Sequence, residues 1–236
     1  RSLKGIVRGS HESNVAPCLS IQCMYTDEDD QKHYHVIDLF PNESNFHFIC
    51  NEKHLLETDM KQILLQKVPN AKITSVPNEN RKGPVHAVSF IFDEIDDSEE
   101  VIVSYCDYGT VWNYKMFLET MRSNSADGGI ASYIGFHPHM LGSDNYAFMT
   151  HNAMWVTDIQ EKQPFTNNKM EEYASNGTYY FRTGAVLKQY FQKLMDLDMN
   201  LKGEFYVSLV YKLMIQDNLK VRIFEIEKMQ GVVDLA

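Results

Sequence analysis

The chain has 236 residues, 44% of them hydrophobic, and a formal net charge of -10. That length buries a sizeable core and suits one α/β domain over 1–236, while the acidic balance and the lack of a basic stripe exclude a nucleic-acid backbone as partner. No apolar run is long enough for a membrane span, and the four cysteines form no CxxC pair, so a cytoplasmic protein with reduced thiols and no signal peptide is expected.

Residues 1–34 open irregularly. Lys4-Gly5-Ile6-Val7-Arg8-Gly9-Ser10 places two glycines after a little strand-like material, and a surface loop is favoured there over a phosphate-cradling turn at Gly9. From His35 the pattern becomes regular. Residues 35–40 read as the end of a helix stopped by Pro41, 46–50 as a strand, 52–67 as one amphipathic helix and 72–76 as a further strand. Gly83-Pro84 opens a helix predicted to reach about Ile95. This alternation is the βαβ rhythm of a Rossmann-like, mostly parallel sheet flanked by helices.

Val101-Ile102-Val103-Ser104-Tyr105 is a buried strand that surfaces at Cys106-Asp107-Tyr108-Gly109. Asp107 then stands at the strand's C-terminal end, where ligands of open α/β sheets bind and where one carboxylate commonly holds a divalent cation. Its other reading is a turn or helix cap. Gly83, at the mouth of a helix, admits a flat ring or a phosphate close to the backbone, or is simple punctuation. The acidic run 93–100 reads as a solvated helix exit, and His137-Pro138-His139 as a loop with hydrogen-bonded imidazoles rather than a zinc site.

Further along, 112–122 is a helix, 127–129 a turn and 130–134 a strand. An antiparallel pair at 146–149 and 154–159 follows, ending at Gln160-Glu161-Lys162. Such a Glu-Lys pair is a surface ion pair or offers a cation to phosphate. Residues 174–177 read as a turn entering an aromatic strand, 183–197 as a helix, and Gly203-Glu204 as the start of another with a carboxylate in its first turn. Residues 219–226 form a last strand, with no closing element after it.

In order, Lys82-Gly83-Pro84-Val85-His86-Ala87, Tyr105-Cys106-Asp107, Gln160-Glu161-Lys162-Gln163-Pro164, Asn176-Gly177-Thr178-Tyr179-Tyr180-Phe181 and Gly203-Glu204-Phe205-Tyr206 resemble the sugar-phosphate nucleotidyltransferases. The likeness is to bacterial members of capsule or surface-polysaccharide synthesis, and it spans about 36–227. It implies the nucleotide-diphospho-sugar transferase fold, a nucleoside triphosphate and a sugar 1-phosphate as substrates, and Mg2+ as cofactor. By resemblance, Gly9, Gly83, Pro84 and Ala87 lie on the nucleotide, and Asp107 binds magnesium with Glu204 as a second ligand. Asp107 and Lys162 are then the catalytic pair. Glu161, Lys162, Asn176 and Gly177 hold the sugar phosphate.

The chain departs from that pattern at its Gly-rich loop, degenerate at Arg8-Gly9-Ser10, and at the second metal-ligand position, which falls on Ser208 or Leu209. Three readings follow: an active transferase, a binding module of the same fold with impaired catalysis, and, ranked last for want of an Asp-x-Asp, a glycosyltransferase. Assembly into a homo-oligomer is left open.

Overall fold

In the computed structural model, residues 3–8, 22–24, 33–79, 82–142 and 144–231 are described; Gly9 lies outside them. The first strand, β1 (Leu3–Arg8), is central and pairs in parallel on both sides, where the sequence reading favoured a loop. A small ribbon, β2 (Gln22–Met24) with β3 (His33–His35), precedes a 3-10 turn at Val36–Leu39 and strand β4 (Phe46–Asn51).

The predicted helix 52–67 is two helices, α1 (Glu52–Glu57) and α2 (Met60–Lys67). Thr58 breaks it: its hydroxyl and its amide both donate to the His54 carbonyl, at 2.6 and 3.2 Å, and its hydroxyl oxygen accepts from the Met60 amide at 3.2 Å. Strand β5 (Lys72–Val76) and helix α3 (Gly83–Ser89) follow. Helix α3 stops short of Ile95 and gives way to a 3-10 turn at Phe92–Glu94.

Next come β6 (Glu100–Tyr105), β7 (Tyr108–Val111) and α4 (Tyr114–Ser123), whose cap Asn113 accepts from the Met116 amide at 2.9 Å. Strand β8 (Gly128–Tyr133) contains both glycines that were expected in a turn. A side chain at Gly128 would meet the Tyr211 ring, and one at Gly129 the Met121 sulfur, so these glycines serve packing.

A tight hairpin joins β9 (Ala147–Asn152) to β10 (Trp155–Glu161). Its two loop residues, Ala153 and Met154, have φ of 48° and 69°, as a right-twisted two-residue turn requires. The chain then runs through β11 (Tyr173–Phe181), α5 (Gly184–Asp196), α6 (Val207–Gln216), β12 (Val221–Glu225) and β13 (Lys228–Gly231). Strand β13, unforeseen in the sequence, pairs with β7.

The nine-stranded sheet has the order β5-β4-β1-β6-β11-β8-β12-β10-β9, and β9 also pairs with β11. That last contact closes β11, β8, β12, β10 and β9 into a small barrel. The expectation of a mostly parallel sheet is corrected here. Four pairings are parallel (β5–β4, β4–β1, β1–β6, β8–β12) and five are antiparallel, because β11 runs against β6, β8 and β9 and the β9–β10 hairpin reverses locally.

Alternate residues of the apolar strands feed two cores. Val101 and Val103 join Ile130, Ile223 and the inner faces of α3, α5 and α6, while Ile102 joins Phe48, Ala131, Phe224 and residues of α2 and α4 on the other side. This two-sided burial is why the strands read as continuous apolar runs. Glu100, expected in a solvated run, is only 3% exposed. It accepts from Arg122 Nη2 at 2.6 Å and from the Tyr180 hydroxyl at 2.8 Å.

Candidate active site

Asp107 lies in the two-residue turn between β6 and β7, partly exposed at the end of the buried strand. The turn is anchored by Tyr108, which is buried. Its phenol oxygen bonds Ser104 Oγ at 2.7 Å and, on its other side, Thr178 Oγ1 of β11. Asp107 is thereby tied to the strand that carries Asn176 and Gly177.

Those two residues do not form a turn ahead of the strand, as expected; they form an irregularity within β11, whose register on β8 shifts between Ser175 and Thr178. Gly177 has φ of 93° and lies against the Tyr105 ring, which a side chain there would meet at 3.1 Å. Asn176 is 2% exposed. Its Oδ1 accepts from the Thr178 amide at 2.9 Å, while its Nδ2 is buried with no partner among the described residues. A buried amide donor left unmatched is costly, and a ligand oxygen satisfies it.

Sheet register brings the Glu-Lys pair to the same place. Glu161, the last residue of β10, is opposite Ala147 of β9, and the adjacent Phe148 is opposite Ala174 of β11. The Lys162 amide donates to the Tyr146 carbonyl at 2.9 Å. The phenol of the same Tyr146 is pushed up to about 12, first by burial and then by the nearby charge of Asp107. Tyr146 thus bonds the Lys162 backbone through its carbonyl and feels the charge of Asp107 at its phenol.

The Glu161 carboxyl is pushed up to about 7, chiefly by burial and further by the charge of Glu204, against the Ser208 hydroxyl and Lys162. Ser208 Oγ donates to Glu161 Oε2 at 2.5 Å. Lys162 Nζ donates to the Tyr206 hydroxyl at 2.8 Å, 4.6 Å from the centre of that ring, and the Tyr206 hydroxyl donates in turn to Glu204. Glu204 precedes α6 rather than occupying its first turn.

Gly83, Pro84 and Ala87 are buried in α3, and the backbone of Phe205 fills the space beside Gly83. The Phe205 amide donates to the Lys82 carbonyl at 2.8 Å, and the Val85 amide to the Phe205 carbonyl at 3.0 Å. Segment 204–206 thus touches the start of α3 on one side and Lys162 on the other. The sequence reading assigned no role to Tyr206, Tyr146 or Tyr105, and met Ser208 only as a departure at the second metal-ligand position. The available signal was that Tyr206 follows Glu204 by two residues and Ser208 follows Tyr206 by two.

Among the described residues no three His, Cys, Asp or Glu side chains converge as a metal cage. A magnesium ion carried on a triphosphate needs only one or two carboxylates, with phosphate and water completing its shell. Asp107, partly exposed at the end of β6, supplies one such carboxylate, and the Glu204 carboxylate accepts from the Tyr206 hydroxyl. No helix among the described residues is long and apolar enough to cross a membrane.

No family model matches the chain, and no curated protein matches it in sequence. Solved structures do match in shape. A nucleoside-diphosphate-sugar pyrophosphorylase from Vibrio cholerae superposes with a TM-score of 0.66 at 16% identity, over 94% of this chain and 91% of that one. A protein assigned as a glucose-1-phosphate thymidylyltransferase from Bacillus anthracis, solved with sucrose, gives 0.66 at 12% identity over 98% and 89%. The inositol-1-phosphate CTP transferase of T. maritima gives 0.64 at 11% identity over 97% and 88%. At these identities the likeness establishes architecture, and the chain has the mixed α/β fold of those three structures.

Proposed function

We propose that this chain is a magnesium-dependent nucleotidyltransferase that joins a sugar 1-phosphate to a nucleoside triphosphate, giving a nucleotide sugar and pyrophosphate for surface-polysaccharide synthesis. The observation that carries the reading is the unmatched buried amide of Asn176 on β11, the strand to which Tyr108 ties the Asp107 turn, on a fold shared with such enzymes. The nucleotide lies along the start of α3 near Gly83, Pro84 and Ala87.

A sugar-phosphate oxygen attacks the α-phosphorus in line, the bond to the bridging oxygen breaks, and pyrophosphate leaves. The work asked of the chain is positioning and charge neutralisation. Lys162 offers its ammonium to the sugar phosphate, Asn176 Nδ2 donates to a sugar hydroxyl, and the Glu161 carboxylate accepts from another. Magnesium at Asp107 would offset the charge of the triphosphate, while Glu204, the second ligand the resemblance implies, is engaged by the Tyr206 hydroxyl.

A binding module with impaired turnover is the second reading. It is favoured by Ser208, which stands where a second metal ligand is expected and instead donates to Glu161. Incubation with nucleoside triphosphates, Mg2+ and a panel of sugar 1-phosphates, following pyrophosphate, separates the two. Triphosphate binding by calorimetry without pyrophosphate release selects the module. Asp107→Ala is expected to abolish Mg2+-dependent triphosphate binding, and unchanged binding would remove Asp107 from the site.

A further inference from the structure

In a regular strand successive side chains point to opposite faces. Glu161 and Lys162 do not: Lys162 has φ of 55°, in the left-handed region that a lysine seldom adopts, and the chain turns there. Both side chains consequently reach a single short segment at the start of α6, where Tyr206 takes the ammonium and Ser208 the carboxyl. We infer that Tyr206 and Ser208 form a two-pronged clamp that positions Lys162 and Glu161 for a cargo bearing both a phosphate and a hydroxyl. The inference deepens the transferase reading and rests on it.

The clamp has a physical rationale on each prong. A lysine ammonium has three donors on a flexible stem. The Tyr206 hydroxyl accepts from one donor and itself donates a hydrogen bond to Glu204, so two donors stay available to phosphate with the stem already oriented. Ser208 donates to Glu161 Oε2 and leaves Oε1 for the cargo. The charged and titratable groups around Glu161 are Lys162, Glu204 and Tyr179. Because Phe205, between the prongs, bonds Lys82 and Val85, the clamp is fastened to the start of α3.

The test uses Tyr206→Phe, which keeps the ring and removes the hydroxyl, and Ser208→Ala. Tyr206→Phe should lower kcat/KM for the sugar 1-phosphate about tenfold, the scale of one lost hydrogen bond to a charged group, with KM for the triphosphate unchanged. In a Lys162→Met background the same change should have no further effect. Ser208→Ala should move the acid limb of the pH–rate profile upward, since the serine favours the ionised carboxyl. Additive losses in the double variant, or an unmoved acid limb, overturn the clamp.

A second measurement is independent of turnover. With lysines reductively methylated with 13C, the Lys162 signal, identified by its loss in Lys162→Arg, should shift in Tyr206→Phe. An unshifted signal overturns the clamp even in an active enzyme. A shifted signal in a protein that releases no pyrophosphate sustains the clamp and defeats the transferase reading.

Discussion

Gly83→Ala tests whether the start of α3 is shaped by packing or by ligand contact. Gly83 has φ of 91°, and an added Cβ would lie 2.6 Å from the Phe205 amide nitrogen and 2.8 Å from its carbonyl oxygen. Left-handed backbone costs alanine about 1–2 kcal/mol, and overpacking against atoms that cannot rotate away costs about 1–3 kcal/mol. The two together give about 2–5 kcal/mol, a large share of the stability of an ordinary domain. For a chain of this size that is a fall in Tm of roughly 4 to 20 °C. Urea denaturation followed by circular dichroism measures it, and nucleotide affinity is read on the same preparation. A stable variant, within about 0.5 kcal/mol of wild type, that has lost only nucleotide binding would refute the packing argument and return Gly83 to ligand contact alone.

Burial lifts the Glu161 carboxyl from its ordinary 4.5 to about 7, so between those values the folded chain keeps a proton that the unfolded chain has lost. Its contribution is whole below about pH 4.5 and is lost as pH rises through 7, by up to about 3 kcal/mol. Urea denaturation at pH 5 and pH 8 should show a steeper decline in wild type than in Glu161→Gln, and parallel declines would contradict the assignment. Glu100→Gln replaces a buried carboxylate that accepts from Arg122 and Tyr180, and should cost about 2–3 kcal/mol by the same assay. A loss below about 0.5 kcal/mol would mean that Arg122, whose side chain is 43% exposed, turns to water without penalty.

Strand β6 was legible because its run of Val and Ile is buried on both faces and ends abruptly, and β5 because Lys72–Val76 is bounded by polar residues. Strand β1 was not, since Lys4, Gly5 and Arg8 break its apolar pattern and only pairing with β4 and β6 makes it central. The break at Thr58 and the burial of Glu100 depend on particular hydrogen bonds that periodicity cannot register. Asp107 could be located from its strand alone. The grip of Tyr206 and Ser208 on Lys162 and Glu161 could not, because it joins the end of β10 to a segment more than forty residues later and depends on one backbone angle. The parallel expectation failed where β11 reverses direction, a property of topology rather than of residue pattern.

Among the described residues, barrel closure leaves the large sheet with one open flank. Strand β9 is bonded on both sides, by β10 and by β11, whereas the described neighbour of β5 is β4 alone. An incoming chain that extended this sheet would therefore dock beside β5, three strand spacings or roughly 14 Å from the strand that leads to Asp107. Growth by strand addition, whether into a dimer or a longer assembly, would leave β6 and the barrel strands paired as they are.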